Sequence, residues 1–240
     1  MPRNARPQPV EDPNLMRLIR AIVGNHASEV SRLIELDAVL ARQPLRHGAT
    51  RQSETEFFFE EIKHYFYAGD TPLHAAAAGY RVAIARNLIG KGADVMAANR
   101  RGAEPLHYAA DGGPGSPHWN PDAQAGMIEL LVNAGADPNA LDKSGVAPLH
   151  RAVRQRCVGA VEALIRKRAD VRKRNKSGST PLHLAVQDTG KGGAGSPASR
   201  TLQLEIIRML LKAGADPKDR DGKGKSVRQC ARGAQVLALL

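Results

Sequence analysis

One short motif recurs four times in this 240-residue chain: Thr71-Pro72-Leu73-His74, Glu104-Pro105-Leu106-His107, Ala147-Pro148-Leu149-His150 and Thr180-Pro181-Leu182-His183. The four copies start 33, 43 and 33 residues apart. A second set keeps the same rhythm: Gly92-Ala93-Asp94, Gly135-Ala136-Asp137, Arg168-Ala169-Asp170 and Gly214-Ala215-Asp216. A sequence that repeats at such a period builds one supersecondary unit per repeat, and each unit hides its apolar face only by stacking on the next. The chain length alone allows one or two globular domains; the repeat replaces them with a single elongated array.

Local chemistry predicts the content of one unit. Asn175-Lys176-Ser177-Gly178 reads as a turn, with Gly178 free to take a positive φ. Thr180 can cap the helix that follows, and Pro181 suits its first position, where no N–H is needed. Leu182 and Ala185 give that helix a small apolar face. His183 is expected to bond Thr180 and nearby backbone. A second helix is predicted over 204–213, with Ile206, Ile207, Leu210 and Leu211 on one side and Gly214 ending it. The same apolar spacing returns as Ile84, Leu88, Ile89, as Met127, Ile128, Leu131, Val132, and as Val161, Leu164, Ile165.

These motifs resemble the ankyrin-repeat family over roughly residues 13–240. The resemblance implies an all-α solenoid of helix–loop–helix units joined by β-hairpin-like fingers. About six units are expected. Leu15–Leu36 reads as a degenerate first unit. The last unit keeps only Ser226 of its capping motif and is cut short, with Val236–Leu240 expected to cover the core rather than to serve as a peptide ligand. Residues 1–12 read as a disordered polar tail.

Four departures from the repeat mark places to seek function. Two insertions, near 112–122 and 189–202, each carry Gly-Ser-Pro and fall between the helices of alternate units. They are expected either as tolerated surface loops or as a paired rim holding Trp119, the only tryptophan. A third insertion, near 42–63, leads into Phe57, Phe58, Phe59, Tyr65, Phe66 and Tyr67, six of the chain's nine aromatic residues. A longer hairpin is predicted there, either sealing the weak first unit or offering an aromatic anchor to a partner.

The third departure is basic. Arg100, Arg101, Lys143, Lys176 and Lys223 follow the turn-starting Asn or Asp once per unit, so they are expected along one edge. Arg172, Lys173 and Arg174 thicken the third finger. The resemblance places Arg154 and Gln155 on the concave side. The plain alternative for all of these is a solvated face. Net charge is +11, and residues 151–176 alone hold ten Lys/Arg against two acids. The fourth departure is lost glycine: Arg168 and Arg156 stand where the family has helix-ending and inter-helix Gly, at about 1 kcal/mol each if the left-handed angle persists. Two Arg in the most basic unit suggest that charge there offsets some stability. Ala147 and Glu104 also replace the capping Thr.

Several kinds of chemistry lack support in the sequence. Gly224-Lys225-Ser226 mimics the end of a phosphate loop, but Asp219 stands where that motif needs Gly. The glycine-rich 190–195 run lacks a strand–helix context. The four motif histidines fall one per unit and cannot converge on a metal, and no H-E-x-x-H, paired-cysteine, calcium-loop or G-x-S-x-G pattern is present. No cofactor and no catalysis are expected. Cys157 and Cys230 lie far apart and read as reduced thiols. No apolar run is long enough to span a membrane, and the N-terminal residues lack the apolar core of a secretory signal. The expected protein is therefore a cytoplasmic, monomeric interaction module that binds an acidic protein segment along its basic edge. A nucleic-acid binder using the same stripe is the alternative, weakened by the absence of aromatics interleaved with the basic run. A regulatory or inhibitory subunit is indistinguishable from the first reading at this level.

Overall fold

The computed structural model describes residues 12–50, 55–117, 119–187 and 196–240. The helices come in pairs. They are α1 (Pro13–Val23) and α2 (Ala27–Leu36), α3 (Pro72–Ala78) and α4 (Val82–Gly90), and α5 (Pro105–Ala110) and α6 (Pro121–Asn133). Then follow α7 (Pro148–Arg154) and α8 (Val158–Arg166), α9 (Pro181–Ala185) and α10 (Pro197–Lys212), and the short α11 (Val227–Cys230) and α12 (Ala234–Leu237). First helices pack on first helices in the order α1, α3, α5, α7, α9, α11. Second helices form a parallel row from α2 through α10. This is the stacked solenoid that the repeat implies.

Each of the four motif histidines is used the same way. Its Nδ1 accepts the backbone N–H of the capping residue, Thr71, Glu104, Ala147 or Thr180, at 3.0–3.2 Å. Its Nε2 donates to a carbonyl of the next unit: Ala103, Val146, Ser179 or Lys225. One neutral imidazole thus starts its own helix and ties it to the following unit. All four rings are buried.

The first and last units are held by caps and packing among the described residues. Asp12 caps α1 by accepting the Asn14 N–H at 2.9 Å; the rest of the expected polar tail lies outside the described residues. Ser226 and Gln229 form a reciprocal cap on α11. Val236 is buried, and Leu239 and Leu240 pack against the core.

Two expectations need correction. The insertions are not wholly loop: α6 begins at Pro121 behind an Asn120 cap, and α10 begins at Pro197 behind a Ser196 cap, seven residues before the predicted start at 204. The run 189–195 lies outside the described residues. The second correction concerns Arg156. It is left-handed (φ 62°), as is Arg168 (φ 65°), but Arg156 is buried and is no exposed charge. Its guanidinium donates to the carbonyls of Ala185 at 3.1 Å and Gln187 at 2.8 Å in the next unit. Tyr80, also left-handed (φ 53°), holds the equivalent corner two units earlier and its hydroxyl donates to the Asp111 carbonyl. In both following units a buried glutamine on the lengthened second helix serves the same helix end: Gln124 bonds Ala109 and Asp111, and Gln203 bonds Ala185. Helix ends leave carbonyls without partners. Where an insertion carries the chain away from the usual tight corner, side chains from two directions supply the missing donors.

Candidate partner-binding site

The fingers follow from one turn repeated four times. Asn99, Asp142, Asn175 and Asp221 each accept two backbone N–H groups, from the residues two and four positions on, at 2.8–3.1 Å. A left-handed glycine is the fourth residue of each turn: Gly102, Gly145, Gly178 and Gly224. The tips then bond to one another. Arg100 N–H donates to Ala68, Lys143 to Arg101, Lys176 to Ser144 and Gly222 to Ser177, at 2.8–3.2 Å. The contact is close enough that a Cβ on Gly145 would lie 2.7 Å from the Lys176 nitrogen. Successive tips therefore sit in direct register, and Arg100, Arg101, Lys143, Lys176 and Lys223 are all exposed on them.

The other basic residues are placed differently. Arg172 pairs with Asp219 at 2.6 Å and Asp216 at 3.7 Å. Arg174 reaches Asp219 at 3.6 Å and donates to the Gly178 carbonyl at 3.0 Å. Much of the charge of that finger is thus answered within the chain. Lys173 is half-buried and Arg154 is exposed at the end of α7. The guanidinium groups of Arg101 and Arg100 lie 4.7 and 5.4 Å from the centre of the Tyr67 ring, within cation–π range.

The aromatic segment forms the predicted hairpin in shortened form. Strands β1 (Phe58–Phe59) and β2 (His64–Tyr65) pair antiparallel, Phe58 opposite Tyr65 and Phe59 opposite His64. The chain before it, from Leu45 to Ala49, pairs with Phe66 to Asp70. The first finger is therefore a long one, and its end folds over the first helices. Phe57, Phe59 and Phe66 are buried. The His64 ring packs at a tilt with its centre 4.5 Å from that of Tyr108 on α5, and Phe66 lies parallel to the same ring. Burial lowers the His64 pKa. Tyr65 remains exposed at 37%. The segment mainly seals, with an aromatic edge left outside.

Beneath the hairpin is a polar cluster that the sequence did not signal. Asp70 accepts from Tyr108 Oη at 2.7 Å, from Asn99 Nδ2 at 2.8 Å and from the Tyr67 N–H at 2.6 Å. Beside it Arg151 bridges Asp111 at 2.7 Å and Asp142 at 3.0 Å. Tyr108 and Arg151 occupy the same place in their units, one residue after the motif histidine. That place faces the groove between fingers and first helices, which is where sequence reasoning could have looked.

Trp119 and Gln155 fall together in a cleft of about 290 Å³, between the hairpin, the α3–α4 corner and the 111–120 segment. The indole is half-buried and its Nε1 donates to Gln124 at 2.9 Å. Among the described residues no group of three metal-ligating side chains converges, and no helix is long and apolar enough to cross a membrane. Cys157 and Cys230 are both free, and burial pushes the Cys157 thiol up to about 12.

Comparison with known families gives two matches. Residues 122–221 match three copies of the ankyrin repeat, and residues 68–100 match a single one. The two stretches together cover more than half of the chain. No curated protein matches it.

Proposed function

We propose, from the premise that this chain belongs to the ankyrin-repeat family, that it binds an acidic protein segment along its stacked finger tips. Ankyrin repeats generally mediate protein–protein interaction, and their proteins are typically non-catalytic scaffolds. The finer reading rests on one observation: consecutive tips hydrogen-bonded to each other carry Arg100, Arg101, Lys143, Lys176 and Lys223 on their exposed side. An extended acidic segment laid along such an edge meets a cation at each finger. Charge complementarity of this kind speeds encounter and selects partners more than it adds raw affinity. Arg172, Lys173 and Arg174 contribute less, because Asp219 already holds two of them. Cytoplasmic residence and a monomeric state belong to the same proposal.

Selection from a random peptide display library tests the reading. The wild type is expected to enrich peptides dense in Asp and Glu, and the triple variant Lys143→Glu/Lys176→Glu/Lys223→Glu to lose that enrichment. Selection without acidic bias would refute it. Tight binding of duplex DNA or RNA with a steep salt slope would favour the nucleic-acid alternative instead.

A further inference from the structure

The geometry points to a second site: the cleft between the aromatic hairpin and the Trp119 segment takes a carboxylate side chain of a polypeptide, with an apolar neighbour against the tryptophan. It rests on the reading of the chain as a binder of acidic protein segments, but it uses different residues from the finger tips.

Two of the cleft's walls exist only because of insertions. Ile62 and Lys63 come from the hairpin, and Gly112, Gly113 and Trp119 from the segment after α5. The floor is the α3–α4 corner, Gly79 to Arg81. Each wall is held. Trp119 is tied to Gln124, which is itself bound to the end of α5. Tyr80 is tied to Asp111. Gly112 admits no side chain, since a Cβ there would lie 2.4 Å from Cys157 Sγ and 2.9 Å from the indole nitrogen. The wall is therefore bare backbone at that point.

One cation lining this cleft has no acidic partner among the described residues. Arg81 Nη2 donates to the Val23 carbonyl at 2.8 Å. Its Nε is buried with no hydrogen-bond partner, and a Cβ on Gly79 would sit 3.2 Å from it. Among the described residues no carboxylate lies within ion-pair distance of Arg81. The acid lining the cleft, Asp111, is held by Arg151. Burial accordingly lowers the Arg81 pKa with no opposing charge. Arg81 as a whole is only half-buried, and a guanidinium is the side chain best suited to carboxylates. The incoming acceptor is therefore expected to be anionic. At ~30 Å³ per water the cleft holds roughly ten waters. It lies at the lower end of the range for small-molecule sites, about 300–1,000 Å³, and so suits one or two side chains of a peptide better than a nucleotide. Trp119, Tyr80 and Ile62 provide apolar contact beside the guanidinium.

Trp119 is the only tryptophan, so its emission reports on the cleft directly. The probes are the blocked peptides acetyl-Leu-Glu-Leu-amide and acetyl-Leu-Gln-Leu-amide, titrated into the full chain. The Glu peptide is expected to shift the emission saturably, and the Gln peptide to bind at least tenfold more weakly. Arg81→Gln should abolish the difference, while the finger-tip triple variant should keep it, which separates failure of this site from failure of the edge. A second readout needs no variant: the Arg81 Nε–H resonance of the wild-type protein should move on adding the Glu peptide and not the Gln peptide. Equal responses to both peptides, or an unmoved Arg81 resonance at saturation, would overturn the site.

Discussion

Arg156 and Arg168 look alike in sequence and differ in the structure. Both hold a left-handed angle that costs an L-residue roughly 1 kcal/mol or more. Arg168 is exposed, and among the described residues its side chain makes no hydrogen bond or ion pair. Arg156 is buried and donates twice into the end of α9. The same substitution should therefore act with opposite sign. Arg168→Gly is expected to stabilise by about 1 kcal/mol, because it relieves the backbone and loses nothing. Arg156→Gly is expected to destabilise by about 1–3 kcal/mol, because charged hydrogen bonds of ~1.5–3 kcal/mol outweigh the relieved strain. Urea denaturation of the two variants checks this; equal signs would contradict the role given to Arg156. Position showed that both residues depart from the repeat, but position cannot tell which side chain reaches a carbonyl 31 residues away.

At the scale of elements, the first finger carries the most information. Composition located the aromatic segment and its hairpin, because six clustered aromatics have few other uses. It could not assign core against surface, since a two-residue strand turns alternate side chains to opposite faces. The structure resolves this residue by residue. Phe66 is fully buried against Phe59 and Tyr108, whereas Tyr65 is partly open. Phe66→Ala should cost about 3–5 kcal/mol, and Tyr65→Ala should fall within about 1 kcal/mol of wild type in the same thermal melts. Comparable losses from both would mean that the hairpin packs otherwise. The lengthened helices α6 and α10 show another limit of sequence reasoning. Gly-Ser-Pro reads as loop, yet Ser196 and Pro197 are a cap and a first helical residue. The finger turns were legible from the order of residues alone, while Arg151, Asp111 and Asp142 meet only through stacking of two units.

For the whole molecule, the repeated histidine gives a repeated pH response. Burial lowers the pKa of His74, His107 and His150, that of His107 to about 4. Each ring is neutral in the folded state and would protonate near 6.5 when unfolded. The unfolded chain thus binds more protons below pH 6.5, so stability is full above that value and falls as the pH drops toward 4. His107 alone accounts for roughly 3 kcal/mol of this loss. Glu104 acts in the opposite sense. Burial raises its carboxyl to about 7, with Asp137 and Asp94 adding to the effect, so the folded state holds that proton more tightly between pH 7 and 4.5. Three rings outweigh one partly exposed carboxyl, and the net expectation is loss of stability from pH 6.5 to 4. A flat denaturation midpoint across that range would contradict the shared tautomer.

The array as a whole was the most legible feature, because a fixed period leaves few architectures. The use of its edge is less so, since only the folded chain shows that Asp219 answers Arg172 and Arg174 while the tip lysines have no acidic partner among the described residues. Binding of an acidic peptide, measured for wild type and for Lys143→Glu/Lys176→Glu/Lys223→Glu at low and moderate salt, tests that use most directly. At least a tenfold weaker Kd is expected for the variant, with a shallower dependence on salt. An unchanged Kd and slope, with the variant fully folded, would contradict it.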